Sequence, residues 1–157
     1  MNRQPPSLLH CKTYNFSPRV PLHPSSEPTL KFQPDQLAGT NVVSRHREGE
    51  VWIASTCFTG SVLVPWMGTV LPWRPSKPED LTPEDFEAVL ALKPELVIFG
   101  SGPRIRFVNP GLLRCLIDKR IGVETMDTAA ACRTYNVLVT EGRCAVAALL
   151  VSGRASG

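Results

Sequence analysis

The second half of the chain alternates short apolar runs with stretches of helical periodicity. Residues 96–99 and 122–125 predict strands. Residues 144–151 are apolar at every position and predict a strand that is covered on both faces, at the centre of a sheet. Helical stretches separate these runs, so the order is strand, helix, strand, helix, strand. That order predicts a largely parallel sheet flanked by helices.

Capping residues mark the starts of three predicted helices. Thr82 followed by Pro83 begins the first, Asn109-Pro110 begins the second, and Asp127 or Thr128 begins the third, which ends at Gly142. Each helix has an apolar stripe that should face the sheet. The stripe residues are Phe86, Val89 and Leu90, then Leu112, Leu113, Leu116 and Ile117, then Ala131, Tyr135, Leu138 and Val139.

The first half of the domain reads as short strands. Residues 41–45 and 51–55 flank a turn at 47–49 and predict a hairpin, which residues 61–64 and 69–73 continue as a meander. Residues 51–73 carry no charge and match the roughly 17–25 residues of a membrane helix. Repeated glycines and prolines would break such a helix, so no transmembrane segment is predicted.

The predicted fold class is α/β: a three-layer single domain with a central mixed, largely parallel sheet flanked by helices and an N-terminal β-hairpin or meander. The domain covers residues 29–153. Residues 1–28 hold six of the 15 prolines and predict a disordered tail, and residues 154–157 predict a disordered C-terminus.

Composition excludes several classes of function. A net charge of +3 lacks the basic excess that phosphate contacts require, so nucleic acid is not a predicted partner. Five cysteines with no C-x-x-C pair and no suitably spaced histidine argue against a disulfide scaffold, a zinc site or any other metal. The cysteines are interpreted as small buried side chains in a reducing compartment. No signal peptide is visible, and the predicted location is cytoplasmic, or the mitochondrial matrix in a eukaryotic cell.

Two turns are expected at the carboxyl ends of the parallel strands. Residues 100–106 follow one strand, and residues 126–130 open the third helix. Because ligands of open α/β sheets bind at that edge, the turns should meet there and hold a small anion. Alternatively, the glycines form a tight turn, and Arg104 and Arg106 pair with acids or lie in solvent. The candidate ligand-binding residues are Gly100, Ser101, Gly102, Arg104, Arg106, Asp127, Thr128, Arg133, Tyr135 and Asn136.

No catalytic or cofactor motif is completed, so no catalytic residue and no cofactor is predicted. Ile105 stands where a dinucleotide fingerprint needs its third glycine, and no phosphate-loop lysine follows. Cys132 lies near a helix N-terminus that would lower the pKa of its thiol, but His46, the one histidine outside the tail, belongs to the hairpin. Cys132 is therefore interpreted as a small core residue.

Two further groups of side chains indicate contacts. Asn136 lies in mid-helix, where its type is unfavourable, which predicts a hydrogen bond to the turn at Gly100 or exposure in the crevice. Trp52, Trp66 and Trp73 should fill the core. Any of them that the strand pleat turns outward would form a docking patch for a protein or a membrane surface.

The most distinctive stretches of the sequence resemble a known protein family. Residues 94–102, Arg106-Phe107, residues 122–138 and residues 141–143 look like domain-of-unknown-function family 498, which includes a mitochondrial assembly factor of respiratory complex I. The resemblance extends more loosely back to about residue 30. It covers the glycine turn and the Thr-Tyr-Asn stretch at residues 134–136. Pro103 departs from the family pattern, and the proline-rich tail is extra.

The resemblance implies a compact three-layer α/β fold and no established reaction. It favours a non-catalytic accessory or assembly protein that acts through contacts with a protein partner. The alternative from the residues is a protein or enzyme that binds a small anionic ligand between the turn at Gly100 and the helix start at Thr128.

Overall fold

The computed structural model describes residues 39–153, which form eight strands and three α-helices. The strands are β1 (Val43–Arg47), β2 (Glu50–Ile53), β3 (Thr56–Phe58), β4 (Val62–Pro65), β5 (Leu71–Pro72), β6 (Leu96–Gly100), β7 (Gly122–Met126) and β8 (Ala145–Leu149). The helices are α1 (Pro83–Leu90), α2 (Arg114–Asp118) and α3 (Thr128–Thr140), with 3-10 turns at Pro78–Asp80 and Pro110–Leu113. The predicted tail at 1–28 and the predicted C-terminus at 154–157 lie outside the described residues.

The central sheet is mixed, as predicted. Its five strands lie in the order β5-β4-β8-β6-β7. The pairings of β6 with β7 and with β8 are parallel, whereas β4 pairs antiparallel with both β8 and β5. Strand β8 lies at the centre and is buried at all five positions. The continuous apolar run at residues 144–151 therefore marked a strand covered on both faces.

Layers on both faces of this sheet bury two apolar clusters. Phe99 and Val97 of β6 pack towards α1 and α2, whereas Ile98 packs towards α3, because successive side chains of a strand point to opposite faces. Small residues of β8, Ala145 and Ala147, belong to the cluster under α3. They leave room for the backbone of that helix to approach the sheet closely.

The first half of the domain differs from the predicted meander. Strands β1, β2 and β3 form a separate antiparallel sheet that packs with α3, while β4 and β5 join the central sheet. Strand β3 was not predicted, and β4 was assigned to the wrong sheet. The burial pattern shows the cause: β2 alternates between partly and fully buried positions, whereas all four residues of β4 are buried. Continuous burial is typical of a central strand.

The second predicted helix also differs in part. It begins as a 3-10 turn, in which the Asn109 side chain accepts a hydrogen bond from the Gly111 N–H at 2.9 Å. Leu116 is buried as predicted, but Ile117 is 49% exposed. A 3-10 turn has 3.0 residues per turn, so the face that points inward shifts relative to a regular α-helix.

Helix α1 begins at the predicted cap. The carboxylate of Asp85 accepts a 2.8 Å hydrogen bond from the Thr82 N–H, which completes a capping box. The same carboxylate accepts a 3.0 Å hydrogen bond from Nε of Arg74. Burial by itself would raise the pKa of Asp85, but these hydrogen bonds outweigh it and hold the pKa below its ordinary value of 3.8.

Asp85 should therefore make the stability of the domain depend on pH in the acid range. Its folded-state pKa lies below its unfolded-state pKa, so its stabilising contribution is present above about pH 4 and is lost as the pH falls through the folded-state pKa. We expect Asp85→Asn to lower the free energy of unfolding at pH 7 and to flatten the acid limb of its pH dependence. Urea unfolding between pH 2 and pH 7 measures both. An acid limb as steep as that of the wild type would contradict this role.

Candidate functional site

The turn after β6 and the start of α3 meet at one edge of the central sheet. Gly100 is in register with Met126 of β7 and with Leu149 of β8, so all three parallel strands end at the same level. The Gly102 N–H donates to Oγ1 of Thr128 at 2.9 Å, and the Thr128 N–H donates to the Gly102 carbonyl at 2.8 Å. The predicted meeting of the two loops is confirmed.

Thr128 links this junction to the end of β8 as well. Its hydroxyl donates a 2.8 Å hydrogen bond to the Leu150 carbonyl while it accepts from Gly102, and the residue is 2% exposed. One buried hydroxyl thus joins the segments that follow β6 and β8 to the first residue of α3. The hydrogen-bonding capacity of the Thr128 side chain is used inside the protein.

Ser101 plays a comparable part within the turn. Its hydroxyl, 1% exposed, lies 2.7 Å from the carbonyl oxygen of Arg104 and 3.1 Å from that of Met126, and it accepts a 2.9 Å hydrogen bond from the Arg106 N–H. The Ser101 N–H also donates to the Met126 carbonyl at 2.9 Å. The hydroxyl therefore fixes the course of the backbone over residues 101–106.

A cleft of about 390 Å³ adjoins the junction. One wall is the β1–β2 hairpin tip, with His46 and Arg47, and the other includes Gly102, Thr128 and Leu150. The sequence did not place His46 at this edge, because the path of the hairpin depends on how the small sheet packs on α3. A histidine in the middle of a predicted hairpin was the one available signal.

Burial and a nearby charge act in opposite directions on His46 in the cleft wall. Burial lowers the pKa of His46 below its ordinary 6.5, and the nearby Asp127 carboxylate opposes part of that shift. The Asp127 side chain caps α3 by accepting a 2.9 Å hydrogen bond from the Ala130 N–H. The positive end of the helix dipole therefore already faces a carboxylate from the chain itself.

The three predicted arginines do not gather at the cleft. Among the described residues, its lining contains Arg47 but not Arg104, Arg106 or Arg133. Arg106 forms an ion pair with Glu79 of the first 3-10 turn, and both side chains are more than half exposed. Arg104 and Arg133 are also exposed. The interpretation in which the arginines pair with acids or lie in solvent fits these positions.

Tyr135 and Asn136 hold α3 to the start of the described chain. The Asn136 amide group accepts from the Val43 N–H and donates to the Val43 carbonyl, both at 2.8 Å. The Tyr135 hydroxyl lies 2.9 Å from the Pro65 carbonyl oxygen and 3.1 Å from that of Asn41. The predicted hydrogen bond of Asn136 exists, but it joins α3 to β1 and not to the turn at Gly100.

Burial governs the chemistry of Cys132. The residue is 5% exposed, and burial raises the pKa of its thiol to about 12, although Arg133 acts in the opposite direction. This supports the interpretation of Cys132 as a small core residue. Cys57, Cys115 and Cys132 are free thiols.

We expect Cys132 to be alkylated more slowly than Cys57 and Cys115 in the folded protein. The thiolate is the reactive form, and both burial and the raised pKa keep its population low. Brief treatment with iodoacetamide, followed by peptide mass spectrometry, measures the three rates. In urea the three rates should converge. Faster alkylation of Cys132 in the folded protein would restore it as a candidate nucleophile.

Residues 39–153 contain neither a metal-binding cluster of side chains nor a helix suited to crossing a membrane. No cluster of three or more His, Cys, Asp or Glu side chains is arranged there to bind a metal ion. No helix in this part of the chain combines the length and the apolar character that a bilayer crossing needs.

Comparison with curated proteins finds relatives of one name. The chain is 38% identical over 84 residues to the Bos taurus protein named NADH dehydrogenase (ubiquinone) 1 alpha subcomplex assembly factor 3. This match covers 52% of this chain and 46% of that protein. It is 31% identical over 121 residues to the Danio rerio protein of the same name, which covers 76% of this chain and 68% of that protein. The matches to the bovine and mouse relatives span about half of their length.

Solved structures share the fold. A crystal structure of a Bordetella parapertussis protein has a TM-score of 0.69 at 34% identity, over 73% of this chain and 98% of that chain. An NMR structure of a Xanthomonas campestris protein has a TM-score of 0.66 at 30% identity, over 83% and 97%. A Bordetella pertussis protein described as an Mth938-like domain has a TM-score of 0.62 at 26% identity, over 85% and 94%.

A family model described as protein of unknown function (DUF498/DUF598) matches residues 43–150, which include both sheets and all three helices. These residues contain the glycine turn and the Thr-Tyr-Asn stretch that carried the resemblance in the sequence. The chain belongs to the DUF498/DUF598 family.

Proposed function

We propose that this chain is a non-catalytic accessory protein that takes part in assembling NADH dehydrogenase (respiratory complex I) through contacts with other proteins. The observation that carries the proposal is the match to the Danio rerio assembly factor, which extends over 68% of that relative. A match of this extent includes most of the domain and not a single motif.

The geometry of the site supports a non-catalytic role. Residues with reactive side chains near the junction are used to hold the fold together. The Thr128 hydroxyl joins three segments, the Tyr135 hydroxyl anchors α3, and Cys132 is a buried thiol of raised pKa. A catalytic nucleophile needs an accessible, activated side chain. The Thr128 and Tyr135 hydroxyls instead form internal hydrogen bonds, and the Cys132 thiol is packed in the core.

The compartment follows from the same proposal. In a bacterial cell the protein would work in the cytoplasm, and in a eukaryotic cell in the mitochondrial matrix. The relatives named for assembly of this enzyme support the second location for a eukaryotic source.

Deletion of the gene tests the proposed function. We expect the deletion strain to contain less fully assembled NADH dehydrogenase on native gels and to have lower NADH:ubiquinone oxidoreductase activity in its membranes. Expression of the wild-type chain should restore both. Wild-type amounts of assembled enzyme in the deletion strain, grown under conditions that require it, would overturn the proposal.

The cleft favours a second candidate function, binding of a small anionic ligand between the turn at Gly100 and the start of α3. Its support is the 390 Å³ volume beside the junction and the two donor side chains, His46 and Arg47, on the hairpin wall. Arg47 would supply the positive charge here, since Arg104, Arg106 and Arg133 do not line the cleft. The carboxylates of Glu48 in the same lining and of nearby Asp127 oppose the charge of an anion, so its binding would depend on Arg47.

An NMR titration with phosphate, nucleotides and short carboxylic acids tests this second candidate. Binding in the cleft predicts saturable shifts of the Gly102, Thr128 and His46 signals, and their loss in Arg47→Ala. Arg133→Ala serves as the control, since Arg133 is an exposed arginine outside the cleft lining. If the signals do not shift with millimolar ligand, the small-ligand function is wrong.

A further inference from the structure

The loop between β6 and the second 3-10 turn presents large apolar side chains to solvent. Ile105 is 53% exposed and Phe107 is 81% exposed, the highest value among the large apolar residues described as exposed. Neither side chain belongs to the two core clusters. The folded domain therefore gains little from their apolar surface, and a role outside the domain accounts for it better.

The backbone that carries these residues is tied down. The buried Ser101 hydroxyl contacts the Arg104 carbonyl oxygen and accepts from the Arg106 N–H, so it brackets Ile105 on both sides. The Arg106 side chain pairs with Glu79, which attaches the loop to the first 3-10 turn. A contact loop that is fixed before binding loses less conformational entropy on association.

The composition of the loop indicates the chemistry of what it meets. Aromatic residues and arginine are enriched at the centres of protein interfaces. Arg104 is exposed beside Ile105, and no acidic residue occurs between Glu95 and Asp118. Arg106 of the same loop pairs with Glu79 of this chain, so among the described residues Arg104 is the loop cation offered to a partner. The complementary surface is apolar at its centre and acidic at its border.

We propose that the loop at residues 104–107 is a docking site that inserts Phe107 and Ile105 into an apolar pocket, bordered by Asp and Glu side chains, on a protein component of an NADH dehydrogenase assembly intermediate. This inference rests on the function proposed above and names the surface through which it operates. The apolar side chains supply the buried area, and Arg104 pairs with the acidic border.

Binding to a purified assembly intermediate tests the docking site. The probe is the NADH dehydrogenase subcomplex that accumulates in the deletion strain, immobilised and titrated with purified chain variants. We expect Phe107→Ser to weaken binding at least about tenfold, as removal of a central interface residue does. Arg104→Glu should weaken binding and reverse its salt dependence. Val137→Ser, which removes an apolar side chain that is 55% exposed on α3, should bind like the wild type.

The location of the contact is measured separately in cells. A photo-crosslinking amino acid at position 107 should form adducts with an NADH dehydrogenase component at a site flanked by acidic residues, and the same amino acid at position 137 should not. Thermal melts of each variant control for folding. Adducts of position 107 with a second copy of this chain, or with lipid alone, would overturn the proposal, and so would wild-type binding by Phe107→Ser.

The two proposals fail in different ways. If deletion of the gene leaves NADH dehydrogenase assembly intact, the proposed function is wrong. If deletion impairs assembly but Phe107→Ser and Arg104→Glu restore it as well as the wild-type chain does, the assembly role stands and this docking surface is wrong.

Discussion

Gly100→Val is expected to destabilise the domain by about 3 kcal/mol, in the range of strong overpacking. A Cβ atom at Gly100 would lie 3.0 Å from the Cα of Thr128, 3.0 Å from its Oγ1 and 3.0 Å from Cδ2 of Leu149. The leucine side chain can move, but the Thr128 backbone is held by its N–H, which donates to the Gly102 carbonyl. Urea unfolding measures the change, and the melting temperature should fall by about 10 °C or more.

Gly60→Val is the matched control for this prediction. Gly60 has no atom within 4 Å of the added Cβ, so the same change of side chain should alter stability by no more than about 0.5 kcal/mol. Equal losses in the two variants would show that close approach to α3 is not what requires glycine at position 100.

Thr128→Val is expected to cost about 3 kcal/mol, because an isosteric change leaves two buried backbone groups without a partner. The Gly102 N–H loses its acceptor and the Leu150 carbonyl loses its donor. Each unpaired buried group costs about 1–3 kcal/mol. Chemical denaturation gives the total loss, and amide hydrogen exchange at Gly102 locates it.

Thr128→Ser separates the hydroxyl from the methyl group. Serine keeps the hydroxyl that links Gly102 to Leu150, so Thr128→Ser should retain most of the stability that Thr128→Val loses. If the serine variant is as unstable as the valine variant, packing of the methyl group is the main contribution of Thr128. In that case the hydrogen-bonded junction contributes little.

The back half of the domain could be predicted because its signals are local. The Thr82-Pro83 cap begins α1, Asp127 caps α3, and Gly142 follows α3 with a φ of +80°, as the left-handed end of a helix requires. The apolar run at 144–151 marked the central strand. Each of these signals lies within or directly beside the element it defines, so tertiary context did not alter them.

The rest depended on contacts between distant parts of the chain. The sequence could not show that His46 lines the cleft, since that requires the position of the small sheet on α3. It also could not show that Asn136 binds Val43, a residue 93 positions away. The sequence also could not show that glycine is required at position 100 by the close approach of Thr128, while the positive φ, +104°, belongs to Gly102.

The position of β8 has a consequence for how the protein forms during translation. Strands β4 and β6 emerge from the ribosome well before β8, yet they have no ladder with each other and are joined only through it. Until residue 149 is available, β4 can pair only with β5 and β6 only with β7, and each pair would leave an edge unpaired. Such edges promote association with other chains. A chain that is stalled before β8 emerges should therefore depend on chaperones more than the folded domain does.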